Sequence, residues 1–108
     1  SNRSNKDYRI YASKCRIKGY EYKVEKKAVA AKKTQQKITL AKKKINALKR
    51  DMKYQTADEQ ERTTGKIQDV EAEIINLGKY KENYESEKQE YIERIKAQRE
   101  LLKSLKEH

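Results

Sequence analysis

Nine cationic residues within one stretch of 22 positions carry the strongest chemical signal in this sequence. They are Lys32, Lys33, Lys37, Lys42, Lys43, Lys44, Lys49, Arg50 and Lys53. Such a density of positive charge is typical of surfaces that neutralise phosphate groups on nucleic acids. Because eight of the nine are lysine, which lacks the bidentate fork of arginine, we expect no reading of base sequence. An acidic protein partner and a merely solvated helix face are the alternatives that the sequence leaves open.

Groups that could perform catalysis or bind a metal ion are sparse. The chain has one histidine, His108, and one cysteine, Cys15, and they lie at opposite ends of the sequence. A nucleophile–base pair or a zinc site needs such groups in clusters. The glycines Gly19, Gly65 and Gly78 are isolated, so no phosphate-binding loop is present. The sequence predicts a non-enzymatic protein without catalytic residues, cofactor, metal or small-molecule substrate.

A repeat of seven residues indicates the elements that position these side chains. In the first half the repeat consists of Ile10, Ile17, Val24, Ala31, Ile38, Ile45 and Met52. In the second half it consists of Val70, Leu77, Tyr84, Tyr91, Gln98 and Leu105, with Ile67, Ile74, Lys81, Lys88, Ile95 and Leu102 on the adjacent line. An apolar residue at every seventh position forms the contact line of a coiled coil. The absence of proline also favours long helices.

The sequence therefore predicts an all-α fold, a long antiparallel two-helix coiled-coil hairpin. Its predicted parts are a polar, frayed leader (1–13), a basic helix (14–55), a turn (56–65) and a near-neutral second helix (66–108). The turn is expected where the repeat loses its apolar residues and Gly65 follows two threonines. Thr56 and Glu59 have the spacing of a capping box that starts a helix. The alternative is a single continuous helix in a parallel dimer.

A hairpin with this turn predicts which residues face each other across the two helices. We expect Tyr91 to lie against Ala31 and Gln98 against Val24, so that large side chains meet small ones. On the flank of this contact line, Glu21 is expected beside Arg99. Positions 14–55 carry fifteen Lys/Arg against three Asp/Glu, whereas positions 66–108 carry nine against ten. Electrostatic attraction between the helices therefore favours the antiparallel arrangement.

A second, weaker apolar line on the first helix points away from the predicted coiled-coil contact. It consists of Tyr22, Val29, Leu40, Ala47 and Tyr54. Scattered exposed apolar residues are ordinary, but this spacing also suits a second interface. We therefore predict a coiled-coil interaction module, a scaffold, spacer or assembly adaptor, that forms a homodimer or binds another helical protein. An accessory role in sequence-independent nucleic-acid binding through the basic helix is the alternative.

Two features bear on the compartment. No apolar run approaches the length of a membrane span, and a membrane partner is not expected. A lone cysteine without a signal peptide is typical of reducing compartments, so the sequence predicts a cytoplasmic protein.

Overall fold

The computed structural model describes residues 2–107 and contains two long helices in this range. Helix α1 spans Asn2–Met52 and helix α2 spans Ala57–Glu107. The fold is an all-α helical hairpin, as the heptad repeat predicts. The alternative of one continuous helix is wrong, because residues 53–56 interrupt it.

The turn between the helices is short and is closed by side chains at both ends. Thr56 and Glu59 form the predicted capping box: the Glu59 amide donates to Thr56 Oγ1 (3.3 Å), and the Thr56 hydroxyl donates to Glu59 Oε1 (2.9 Å). At the other end, Gln60 Nε2 donates to the Met52 carbonyl at 2.9 Å. The backbone N–H of Gln55 also donates to Met52 O at 3.3 Å, and this bond tightens the end of α1.

The predicted boundaries of the turn (56–65) and of the second helix (66–108) are wrong. Gly65 lies inside α2, eight residues after its start, with no positive φ angle. The polar residues taken for a turn belong to α2, and Thr63 among them bonds to the turn that precedes the helix. Thr63 is buried, and its hydroxyl donates to Gln55 Oε1 at 2.7 Å. A polar residue can therefore occupy the contact line without ending the helix.

The chain divides into two compact units, and the unit next to the turn comprises Ala30–Asn83. Its core consists of buried Ala41, Ile45, Ile67 and Val70, against which Leu48, Met52 and Ile74 pack. Burying one isoleucine or valine side chain stabilises a fold by about 1.5–3 kcal/mol. This cluster is therefore the main apolar contribution to the pairing of α1 with α2 in this unit.

The other compact unit comprises residues 1–29 and 84–108, and its interior is more polar. Ile95 is buried beside a layer in which the rings of Tyr20 and Tyr91 lie 5.9 Å apart. The Arg94 guanidinium lies 5.1 Å from the Tyr91 ring centre, within the range of a cation–π contact. Ser13 is completely buried and donates to Gln98 Oε1 at 2.9 Å. The predicted leader (1–13) is thus not a separate segment, because residues 2–13 belong to α1.

The predicted pairing of the contact-line residues is wrong in this unit. Tyr91 lies against Tyr20 and not Ala31, and Gln98 bonds Ser13 and does not face Val24. The physical reason is the position of the turn, which ends at residue 56 and not at residue 65. Each residue of α2 therefore meets a residue of α1 that is nearer to the N-terminus than the predicted partner. The predicted flanking pair is confirmed, with Arg99 Nη2 3.3 Å from Glu21 Oε1.

Candidate interaction surfaces

The described residues offer no cluster from which a metal site could be built. Within 2–107, no group of three or more His, Cys, Asp and Glu residues lies close enough to hold an ion. Cys15 is an exposed free thiol, and His108 lies outside the described residues. The thiol lies beside the Tyr11 phenol, and a hydrogen bond between the two raises the pKa of Tyr11. Neither described helix is both long and apolar enough to traverse a lipid bilayer.

The nine predicted cationic residues form one exposed surface, here called the basic cluster. All nine are exposed: Lys32, Lys33, Lys37, Lys42, Lys43, Lys44, Lys49, Arg50 and Lys53. All belong to the compact unit Ala30–Asn83. In the described part of the chain, none of them forms an ion pair, whereas Lys27–Glu87 and Arg99–Glu21 do so in the other unit. The cluster is available to an external anion.

The basic cluster surrounds α1 and does not form a flat patch. Lys42, Lys43 and Lys44 are consecutive and therefore point about 100° apart around the helix axis. Lys43 and Arg50 are seven positions apart and lie on one line. From Lys32 to Lys53 the cluster extends about 30 Å along the helix at 1.5 Å per residue. One rigid flat ligand can contact only part of this set at a time.

The five residues of the predicted second interface divide between the two compact units. Tyr22 and Val29 lie in the unit formed by residues 1–29 and 84–108, with 55% and 46% of their surface exposed. Leu40, Ala47 and Tyr54 lie in the unit Ala30–Asn83, where Ala47 is half-buried and the other two are exposed. The structure therefore places these residues on two surfaces, each belonging to one unit.

The line through Tyr22 extends further toward the N-terminus than the sequence analysis predicted. Tyr8, Cys15, Tyr22 and Val29 are each seven positions apart, and all four are exposed. We call these four residues the outer stripe. Each precedes a contact-line residue by two positions, as Cys15 precedes Ile17, and Cys15 also follows the buried Ser13 by two positions. The line therefore points away from α2. The repeat of seven that identified the inner contact line would also have revealed this one.

Small residues separate the large ones along the outer stripe. Ala12 lies between Tyr8 and Cys15, and Gly19 lies between Cys15 and Tyr22. The alternating steps of four and three residues are those of a coiled-coil contact line. Space is open around Gly19, where an added Cβ would meet no atom within 4 Å. A second helix could therefore approach α1 closely at this point.

The outward side of α2 in the same unit has a different character. Its residues also follow steps of three and four, and all are exposed: Glu90, Glu93, Ala97, Glu100, Ser104 and Glu107. We call these six residues the acidic line. The line itself contains no cation, but the exposed residues Arg94, Lys96 and Lys103 flank it, and Lys96 Nζ lies 3.7 Å from Glu93 Oε1. Acidic and small residues thus occupy the centre of the side of α2 opposite its contact with α1, with cations at its edges.

Comparison of the chain with protein-family models, curated proteins and solved structures found no match. The functional argument therefore rests on the chemistry of these three surfaces.

Proposed function

We propose that this protein is a non-enzymatic interaction module that binds another helix along the outer stripe. The observation that supports this proposal most strongly is the exposure of Tyr8, Cys15, Tyr22 and Val29 at a constant interval of seven. Tyr8 is 69% exposed and Tyr22 is 55% exposed. Tyrosine rings contribute large contact areas when they become buried in an interface. The heptad spacing matches what a second helix requires, since its side chains repeat with the same period.

Site-specific photocrosslinking tests this function directly. Benzoylphenylalanine replaces Tyr22 in the full chain, and the protein is irradiated in the cells that express it. The matched control carries the same photoreactive residue at Lys14, which is exposed on α1 but lies off the outer stripe. We expect discrete protein adducts from position 22 and few from position 14. Absence of adducts from position 22, or equal adducts from both positions, would contradict the proposal.

A second function, sequence-independent binding of nucleic acid, is favoured by a separate observation. The basic cluster presents nine exposed cations, and no described carboxylate forms an ion pair with them. Release of counter-ions from phosphate drives such binding and makes it strongly dependent on salt. Lysine supplies this electrostatic attraction without a preference for particular bases. The cluster belongs to the compact unit that does not contain the outer stripe, so the two functions are separable by mutation.

Salt-dependent binding to duplex DNA tests the second function. Replacing Lys42, Lys43 and Lys44 with glutamine should weaken binding equally on all sequences. It should also reduce the log–log salt slope by about 0.9 for each phosphate that the variant no longer neutralises. The matched control replaces Lys14, Lys18 and Lys23 with glutamine, which removes the same charge outside the cluster. Wild-type protein that shifts no DNA at about 50 mM salt, where electrostatic attraction to phosphate is strong, would exclude this function.

A further inference from the structure

We infer that the partner of the outer stripe is the acidic line on α2 of a second copy of this chain. This inference rests on the proposed function and specifies its partner. It concerns only the compact unit formed by residues 1–29 and 84–108, which carries both surfaces.

Charge complementarity selects this partner. Between Tyr8 and Val29, exposed cations outnumber the two exposed acids, Glu21 and Glu25. The six cations are Arg9, Lys14, Arg16, Lys18, Lys23 and Lys26. Pairing the stripe with the stripe of another copy would bring these cations together. The acidic line instead contributes four carboxylates, from Glu90, Glu93, Glu100 and Glu107. Opposite charges across an interface speed association and disfavour the like-charged alternative.

Shape complementarity supports the same pairing. An antiparallel alignment that places Gly19 opposite Ala97 also places Ala12 opposite Ser104. Small residues then meet at two points, so the helix axes can approach closely while Tyr22 packs beside Ala97. The same alignment brings Lys26 opposite Glu90. Both surfaces keep the alternating steps of three and four that interdigitation requires.

The two surfaces lie on different helices of each copy, so the contact is heterologous. A copy whose outer stripe is occupied still presents a free acidic line, and the reverse is also true. Such contacts continue from copy to copy unless a rotation closes them into a ring. Assembly therefore proceeds beyond a dimer as the protein concentration rises.

Two one-sided variants of the full chain test the inference. The first carries Gly19→Gln and Tyr22→Gln, which blocks the outer stripe. The second carries Ala97→Gln and Ser104→Gln, which blocks the acidic line. All four positions are exposed, and none of the substitutions changes the charge. Glutamine is a good helix former, so both variants should keep the helicity of the wild type, as circular dichroism will verify.

Analytical ultracentrifugation of each protein alone and of the mixture gives the decisive result. We expect wild-type mass to increase with concentration beyond a dimer, and each variant alone to associate at least about tenfold more weakly. The equimolar mixture should form a 1:1 complex, because each variant supplies the surface that is blocked in the other. Wild-type association that either variant leaves unchanged would overturn the inference, and so would a mixture that remains monomeric.

The experiment separates this inference from the proposed function. If the purified wild type stays monomeric while benzoylphenylalanine at position 22 crosslinks to other proteins, the second-copy partner is wrong and the interaction module stands. If position 22 yields no adduct with any protein, including this chain, the proposed function fails as well.

Discussion

Two polar side chains of α1, Ser13 and Lys27, bond to α2 in the unit formed by residues 1–29 and 84–108. Ser13 is the one described side chain that is completely buried, and its hydroxyl reaches both Gln98 Oε1 and the Gln98 carbonyl (3.3 Å). Lys27 forms an ion pair with Glu87, and its Nζ lies 5.7 Å from the Tyr84 ring centre. Both contacts join α1 to α2 in the observed pairing and therefore favour it.

Removing the buried hydroxyl should destabilise the hairpin. Ser13→Ala leaves the Gln98 acceptors without this donor and should lower the free energy of unfolding by about 0.5–1.5 kcal/mol. The better helix propensity of alanine offsets part of this decrease. Urea denaturation followed by circular dichroism measures the change. Ser104→Ala, at an exposed position of α2, is the control and should change stability by less than about 0.5 kcal/mol. An equal effect of both substitutions would show that the Ser13 hydroxyl is unimportant.

The Lys27–Glu87 pair should contribute to stability in a pH-dependent way. A hydrogen bond to Glu87 raises the pKa of Lys27 above its ordinary value of 10.5. A raised folded-state pKa means that the contribution is fully present below pH 10.5 and is lost as the pH rises through the higher, folded value. Glu87→Gln should therefore lower the melting temperature at neutral pH, and the difference from the wild type should shrink above pH 10.5. Glu82→Gln, on an exposed part of α2, should show no such change with pH.

At the scale of the helices, the heptad repeat predicted both elements because a period of seven alone determines which side of a helix is buried. The capping box at Thr56 was also predictable, since it depends on two residue types at a fixed spacing. The length of the turn could not be predicted from the sequence. Gln60 and Thr63 lie in the polar segment that the sequence predicted as the turn. Their partners, Met52 O at the end of α1 and the Gln55 side chain in the turn, become visible only in the folded hairpin.

Gly65→Ala tests where the turn lies. Gly65 is inside α2, and an added Cβ would meet no atom within 4 Å. Alanine should therefore stabilise the protein by about 0.5–1 kcal/mol, the usual difference between the two residues inside a helix. Gly78→Ala should give a similar increase, because it lies in the same helix with equally open space. If Gly65→Ala lowered the stability while Gly78→Ala raised it, the result would indicate a turn at Gly65.

The pairing between the helices followed from the turn and could not be obtained from the apolar repeat alone. A heptad repeat allows several alignments that differ by whole repeats, and each pairs apolar residues with apolar residues. The predicted flanking contact Glu21–Arg99 is present although the predicted inner pairs are not. A single correct charge pair therefore did not suffice to determine the alignment of the buried residues.

Engineered disulfides distinguish the two alignments. In a Cys15→Ser background, Ser13→Cys with Gln98→Cys should form an intramolecular disulfide, because the Ser13 hydroxyl already reaches the Gln98 backbone. Val24→Cys with Gln98→Cys, the pairing that the sequence predicted, should remain reduced under the same oxidant. Mass spectrometry of the proteolysed monomer identifies the linked peptides. Preferential crosslinking of the cysteines at positions 24 and 98 would contradict the alignment of α1 with α2 described above.

At the scale of the whole molecule, apolar residues form two separate lines along α1. The inner contact line joins α1 to α2, while the outer stripe repeats the same period on the side of α1 that faces solvent. The distribution of charge follows the same division, since cations accompany the outer stripe and carboxylates form the acidic line. The second interface predicted from the sequence shares Tyr22 and Val29 with the outer stripe, but it did not include Tyr8 and Cys15 because it followed the repeat no further than Tyr22.

The reactivity of Cys15 provides the most direct test that the outer stripe is the interface. Cys15 is exposed, lies within the stripe and is the only cysteine in the chain, so its alkylation rate reports whether the stripe is covered. With reagent in excess, we expect the rate constant to fall as the wild-type concentration rises and to stay constant in the variant with Ala97→Gln and Ser104→Gln. A cysteine placed instead at the exposed position Asn46, in a Cys15→Ser background, should react at a constant rate. A Cys15 rate constant that stays unchanged while ultracentrifugation detects association would contradict the account.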